Sequence, residues 1–221
     1  MIQPEDILLN GIACVRAGLG RPIVVALDGA SGSGKSTIAA SLKQKAHVAH
    51  VPLDDFYQTQ IPESELSALT VKQRLDAAFE WHRVRVEALQ PLRERKAGRW
   101  HAFDFLRGLT PNGTYALRTD VTEVAPAPIV LIEGLFSASP QLRKMVDFSV
   151  LVDVPQAERH RRIAEREGRN PAWLAEWHAI WDDVETHYLS KVCPPESFDL
   201  VLLNNLGAGQ SLPAEVSKLR G

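Results

Sequence analysis

Residues Gly29 to Ser36 read Gly-Ala-Ser-Gly-Ser-Gly-Lys-Ser, which places glycine, lysine and a hydroxyl at every fixed position of a phosphate-binding loop. Each residue type has a chemical reason. Gly29, Gly32 and Gly34 permit positive φ and let the main chain approach phosphate oxygens with no Cβ in the way. Lys35 can set an ammonium against the outer phosphates of a nucleotide, and the Ser36 hydroxyl can ligate Mg²⁺. Two sets of carboxylates accompany the loop, Asp54-Asp55 ahead of Phe56-Tyr57 and Glu133 ahead of Gly134. A fourth set is cationic: Arg159, Arg162, Arg166 and Arg169 follow spacings of three, four and three, which puts them on one side of a helix, with Arg161 nearby. Pairs such as Glu158 with Arg162 and Glu165 with Arg169 would make that side an ordinary solvated face; beside a phosphate loop, anion recognition is the better reading.

The flanking sequence supplies elements that could position these groups. Pro22 to Asp28 is a short apolar run rich in β-branched residues, the pattern of a buried strand, and Thr37 to Ala46 has helix formers with Ile38, Leu42 and the stem of Lys45 on one side. The loop therefore lies in strand, loop, helix order, where backbone N–H groups and a helix N-terminus converge on one point. Strand candidates at His47 to Leu53, Ile129 to Ile132, Phe148 to Val152 and Phe198 to Leu203 place Asp54, Glu133 and Asp153 at strand C-terminal ends. In an open α/β sheet that edge is where ligands bind. Five apolar runs separated by helical stretches predict a parallel sheet wrapped on both faces.

Pro4 to Ala17 reads as an amphipathic helix through Ile7, Leu8, Ile12 and Val15, covering the sheet. Gln58 to Thr70 is polar and without periodicity, so a mobile loop is expected. Val71 to Lys96 returns to a helical pattern that Pro91 should break or kink. Trp100 to Phe105 and Tyr115 to Val124 alternate apolar and polar residues around a turn-rich connection, predicting a β-hairpin inserted beside the sheet within residues 98–125. Residues 155–170 form the arginine helix, and Asn170-Pro171 opens a helix whose Trp173, Trp177, Ile180, Trp181, Val184 and Tyr188 make an apolar stripe, read as core. His47 and His50 fall on opposite faces of a strand and make a poor metal pair. Nothing in the sequence marks a linker, so residues 1–221 are taken as a single domain.

A net charge of −2 and a pI near 6.4 give no broad basic field, which argues against nucleic acid as a main partner. Cys14 and Cys193 cannot build a disulfide framework, no run reaches a membrane span, and the N-terminus has no basic region ahead of an apolar stretch. A cytoplasmic protein without membrane or nucleic-acid partners is expected; assembly as a homo-oligomer stays open.

Taken together, GASGSGKS, DDFY, the FDF at Phe103 to Phe105, IEG at Ile132 to Gly134 and ERHRRIAEREGR resemble the uridine kinase and phosphoribulokinase group of phosphate-loop kinases. The resemblance implies an α/β, three-layer kinase fold with a five-stranded parallel sheet, a β-hairpin insertion and an arginine-rich helical lid. It implies ATP and Mg²⁺ as cofactors and a small-molecule hydroxyl, of a nucleoside, sugar or vitamin-like alcohol, as acceptor of the γ-phosphate. Carried onto this chain, it makes Asp54 the base, with Lys35 and Arg166 acting in transfer. Nucleotide contacts fall to Gly29, Ser31, Gly32, Ser33, Gly34, Lys35, Ser36 and Thr37, with Arg162 and Arg169. The metal falls to Ser36 and Glu133, and the acceptor to Asp55, Tyr57, Asp76, Phe103, Phe105 and Glu133. The residues alone do not rank Asp54 over Asp55, and Glu133 could serve either metal or acceptor.

The chain departs from that group on the acceptor side. Where uridine and cytidine kinases resembling it carry a Tyr and a His against the pyrimidine, this chain has Phe103 and Gly108, and Arg74 stands where a ribose-holding Asp is expected, unless a short gap brings in Asp76. A competing class is a GTPase-like switch or an ATPase module acting on a protein partner; the sequence has no guanine-reading Asn-Lys-x-Asp, and Leu206-Gly-Ala-Gly-Gln210 reads as a loop.

Overall fold

The strand β1 (Ile23–Asp28) is buried at all six positions, and its side chains divide between two cores. Val24 and Ala26 point into one apolar cluster; Ile23, Val25 and Leu27 point into the other. A strand apolar on both faces must be covered on both, and the chain does so with helices. In this computed structural model, which describes residues 3–166, 171–204 and 216–219, the sheet order is β2 (Val48–Pro52), β5 (Ile129–Glu133), β1, β6 (Phe148–Asp153), β7 (Leu200–Leu203) and β8 (Val216–Leu219). The first five are parallel, as expected from the five apolar runs; β8 adds an antiparallel edge that the sequence reading did not contain.

One face is covered by α1 (Pro4–Arg16) and α2 (Lys35–Lys45), which bring Leu8, Ile12, Ile38 and Leu42 onto the sheet. A Cβ on Gly11 would come within 2.7 Å of Phe148 Cζ, so α1 lies close on β6. The Lys45 stem is not part of that packing: its ammonium pairs with Glu5 and Asp6 of α1. The other face is covered by the helices that follow β2 and by α8 (Pro171–His187), which contributes Val184 and continues into a π-helical turn carrying Tyr188. Of the apolar stripe read as core, Val184 and Tyr188 are buried and Trp181 is partly so; the side chains of Trp173, Trp177 and Ile180 lie outside the described residues, as do 205–215.

The polar stretch after β2 is more ordered than a loop. Gln58 and Thr59 are buried, Gln58 receiving the amides of Gln60 and Ile61, and α3 (Glu63–Ala68) follows. The helical stretch from Val71 is broken, but not at Pro91. It ends α4 (Val71–Ala77) before Phe79, resumes as α5 (Trp81–Arg83), widens into π-helical Val84–Leu89 and closes as α6 (Gln90–Arg93). A proline ring clashes with the carbonyl four residues back in a regular helix, and the wide turn just before Pro91 accommodates it. The hairpin of β3 (Gly98–Phe103) and β4 (Leu117–Val124) pairs as a separate two-stranded sheet. Among the described residues no helix is long and apolar enough to cross a membrane, and Cys14 and Cys193 are both free thiols.

Candidate active site

Three strand ends meet at the loop. Asp28 closes β1, is fully buried, and accepts hydrogen bonds from the amides of Gly29 (2.7 Å), Phe136 (3.0 Å) and Ala138 (2.9 Å) and from the Tyr188 hydroxyl (2.6 Å). Burial raises its pKa, against those hydrogen bonds and Lys35. The carboxylate thus ties the entry of the loop to the segment after β5 and to the π-helical turn that follows α8. Beyond it, Gly29, Gly32 and Gly34 have φ of 148°, 78° and 91°, a region that only glycine enters without strain. Gly34 ends the loop as the N-cap of α2 and carries no side chain to cap it; the Thr37 amide bonds to Gly34 O at 3.1 Å, and the amides of Lys35 and Ser36 are left for an anion. Ser33 is buried, Lys35 is nearly so, with its Nζ 3.4 Å from Ala30 O, and Ser36 and Thr37 are exposed.

The Ser36 hydroxyl donates to Glu133 Oε1 at 3.1 Å, and His50 Nε2 stands 3.8 Å from Glu133 Oε2, an ion-pair distance too long for a hydrogen bond. Although burial pushes the Glu133 pKa up, His50, Lys35 and Ser36 together hold it below the usual carboxylate value. Gly134 follows at φ 150°, and a Cβ there would meet Leu53 Cβ at 2.8 Å; the glycine lets β5 end against the turn that carries Asp54. A hydroxyl and an ionised carboxylate in contact at the loop's end fit a hard divalent cation such as Mg²⁺.

Asp54 and Asp55 lie in a short 3-10 turn, Leu53–Phe56, and their surroundings differ. Asp55 is committed to the fold: its Oδ2 accepts from Trp100 Nε1 at 2.8 Å, and its pKa is raised by burial against that bond. Among the described residues the Asp54 carboxylate accepts no hydrogen bond. The residue is exposed, yet enough protein lies around its carboxylate that desolvation is the main cause lifting its pKa to about 6. Lys35 and Arg166 oppose the rise, whereas Glu133 and Asp55 add to it.

The arginine helix α7 (Gln156–Arg166) is packed on the loop, and two of the arginines read as anion-recognising already hold loop carbonyls. Arg159 is buried, donating to Ser31 O (3.1 Å) and to Glu185 Oε2 (2.8 Å), and Glu185 in turn receives the Ser31 amide at 3.1 Å. Arg162 pairs with Glu158, and its NH2 donates to Asn204 O at 3.0 Å while NH1 lies 3.3 Å from Ser33 O. A Cβ on Gly32 would meet Arg159 O at 2.7 Å, so the second glycine of the loop serves helix packing as well as phosphate approach. Glu165 pairs with Arg161; Arg169 lies outside the described residues. Among the described arginines of α7, Arg166, exposed at the helix end, is the one whose charge acts on the Asp54 pKa, lowering it.

Aromatic rings make the remaining wall. Tyr57 stacks on Phe79 at 4.6 Å between centroids and meets Phe103, Phe105 and Trp181 at 5.6, 5.8 and 6.0 Å. Burial, with Asp54 and Glu185 near, raises the Tyr57 pKa well above its ordinary value, so the phenol is neutral. Phe103 is buried and Phe105 is 61% exposed. Two acceptor candidates are not brought here. Asp76 is held by Lys72 and by Gln141 Nε2 (2.9 Å), and Arg74 forms a 2.6 Å ion pair with Asp183 of α8, so it is neither a free exposed arginine nor a group aimed at Asp54. Sequence reasoning missed Asp28, His50, Glu185 and Trp181 as parts of the site. Asp28 had a signal, a carboxylate at a strand end beside the loop; Glu185 had one too, an acid inside the stripe of Trp181, Val184 and Tyr188.

Residues 24–166, more than half of the chain, match the phosphoribulokinase / uridine kinase family. A uridine kinase of Brevibacillus brevis is 30% identical over 182 residues, covering 80% of this chain and 78% of that protein, whereas uridine kinases of Borrelia are 23% identical with 66% of their length covered. Among solved structures, a possible uridine kinase from Bacillus stearothermophilus superposes with a TM-score of 0.59 at 18% identity, covering 88% of this chain and 98% of that one. The D-glycerate 3-kinase of Cryptococcus neoformans does so with 0.60 at 13% identity, covering 96% and 97%. Those likenesses establish the fold, and the family match over the strands and the loop that build the site assigns the chain: it belongs to the phosphoribulokinase / uridine kinase family.

Proposed function

We propose that the protein transfers the γ-phosphoryl group of ATP to a hydroxyl of a small molecule, with Asp54 as the base. The observation that carries the reading is the contrast between the two adjacent carboxylates: Asp55 is hydrogen-bonded to Trp100, while Asp54 feels the charges of Lys35, Glu133 and Arg166 and accepts no hydrogen bond among the described residues. Phosphoryl transfer asks the protein mainly to position groups and neutralise charge. The loop amides and Lys35 hold the outer phosphates, and Arg166 meets charge on the transferring group. The acceptor oxygen bonds to the γ-phosphorus as the bond to the bridging oxygen breaks, ADP leaves, and the acceptor's proton goes to Asp54. A pKa near 6 leaves that carboxylate ionised at neutral pH yet basic enough to take the proton. Ser36 and Glu133 would hold Mg²⁺, which supplies charge neutralisation at the phosphates.

The acceptor's body packs against Tyr57, Phe103, Phe105 and Trp181, a wall that offers stacking and few polar contacts. A site that hydrogen-bonds a base rejects analogues through polar groups left unpaired, and a wall without those groups gains no such selectivity. The proposed substrate is therefore a hydroxyl compound other than a pyrimidine nucleoside, despite the uridine kinases among the relatives. The test is ADP release from ATP and Mg²⁺ with a panel of nucleosides, sugars, pantothenate and glycerate. Release only when an acceptor is added supports the kinase; equal release without one indicates an ATPase module. Selective turnover of uridine or cytidine would overturn the acceptor assignment while leaving the transfer chemistry standing.

A further inference from the structure

Away from the loop, α7 and α8 are joined by a second cluster that phosphate transfer does not use. His160 of α7 packs its ring 3.8 Å from that of His178 on α8, and Asp182, one turn further along α8, faces both. Asp182 Oδ1 is 3.1 Å from His178 Nδ1, and Asp182 Oδ2 is 3.2 Å from His160 Nε2. The three potential ligand atoms all lie within 4.8 Å of one another. His160 Nε2 is buried and, although at ion-pair distance from the carboxylate, makes no hydrogen bond. Gln156 Nε2 approaches Asp182 Oδ2 at 3.4 Å, a polar group placed to orient the carboxylate from behind.

We propose that His160, His178 and Asp182 form a binding site for a divalent d-block cation of the Zn²⁺ class, clipping α7 to α8. Two imidazoles and one carboxylate are a donor set suited to zinc, cobalt or nickel rather than to Mg²⁺, which prefers oxygen ligands. Tetrahedral ligands at ordinary zinc distances stand roughly 3.3 Å apart. Each imidazole nitrogen already stands at nearly that spacing from one oxygen of Asp182, His178 from Oδ1 and His160 from Oδ2, so a rotation of the carboxylate and a closer approach of the two nitrogens would complete the set. The side chains are 24–31% exposed, which leaves the ion a way in and room for water as a fourth ligand. The residues sit on the helices that carry Arg159 and Glu185, so a metal there holds the arginine helix against the loop. This inference is independent of the acceptor and of the base.

The full-length protein, stripped with chelator and free of nucleotide, is titrated with Zn²⁺ against a chromophoric competitor. One tight equivalent per chain is expected, and His160→Gln, His178→Gln and Asp182→Asn should each weaken it by about 10-fold or more. With Co²⁺ the wild type should give the visible absorption of a four-coordinate site. Independently of any variant, Zn²⁺ should protect His160 and His178, but not His47 or His101, from carbethoxylation read by mass spectrometry. Zinc affinity unchanged in the folded variants, or protection of other histidines in place of these two, would overturn the site.

Discussion

The two halves of the cleft are built by different means. On the nucleotide side, backbone does most of the work: glycines at positive φ, uncapped amides at the start of α2, and carbonyls of Ser31 and Ser33 gripped by Arg159 and Arg162. On the acceptor side, side chains do it: Tyr57 among four aromatic rings, with Asp54 at the seam between the halves. Backbone geometry of this kind admits few sequences, because a Cβ at Gly29 would meet Val152 O at 2.5 Å and one at Gly32 would meet Arg159 O at 2.7 Å. An aromatic wall tolerates exchange of one ring for another. Nucleotide use should therefore be the fixed property of this site, and acceptor choice the variable one.

The sharpest way to break that contrast is Lys35→Ala, which should reduce turnover with every acceptor alike by roughly 10³, the scale of a lost electrostatic contact to the transferring group. An effect confined to one acceptor would erase the division. Next comes Asp54→Asn, expected to lower kcat by roughly 10² with ATP binding retained. That variant should also be more stable. The folded Asp54 carboxyl keeps its proton up to about pH 6, against 3.8 ordinarily, so the native state binds more protons between those values and stability falls as pH rises through them. Thermal melts should accordingly show Asp54→Asn above wild type at pH 7, with the gap closing toward pH 4.

Smaller effects sharpen the acceptor half. Phe105→Ala, which removes an exposed ring of the wall, should raise the acceptor KM by about 5-fold and leave the ATP KM unchanged, since ring stacking contributes about 1 kcal/mol. Steady-state kinetics with each substrate varied in turn separates the two. Smallest in catalysis is Asp55→Asn: its partner is Trp100, and kcat should change by only a few-fold, while denaturant unfolding should show a loss of about 1–3 kcal/mol from the weakened charged hydrogen bond.

The same division governs what could be read from the sequence. The loop, its strand and its helix were legible because each position answers to a backbone requirement, and the carboxylates at strand ends because the sheet's edge is fixed by five apolar runs. The break before Phe79 was not legible. It depends on Phe79 turning to stack on Tyr57, a contact across 22 residues that no local periodicity records. Glu185 was hidden for a related reason, since its worth lies in joining Ser31 to Arg159 from a third segment. The preference for Asp54 over Asp55 as the proposed base needed Trp100, whose indole occupies one of two adjacent carboxylates only once the hairpin is folded back on the turn.

The pH dependence of acceptor-dependent ADP release, measured for wild type and Asp54→Asn, tests the central claim most directly. A base that must be ionised predicts that wild-type kcat/KM falls tenfold per pH unit below about 6 and is level above it, and that this limb is absent from the residual activity of Asp54→Asn. The same acid limb in the variant, or its loss in Asp55→Asn instead, would contradict the assignment.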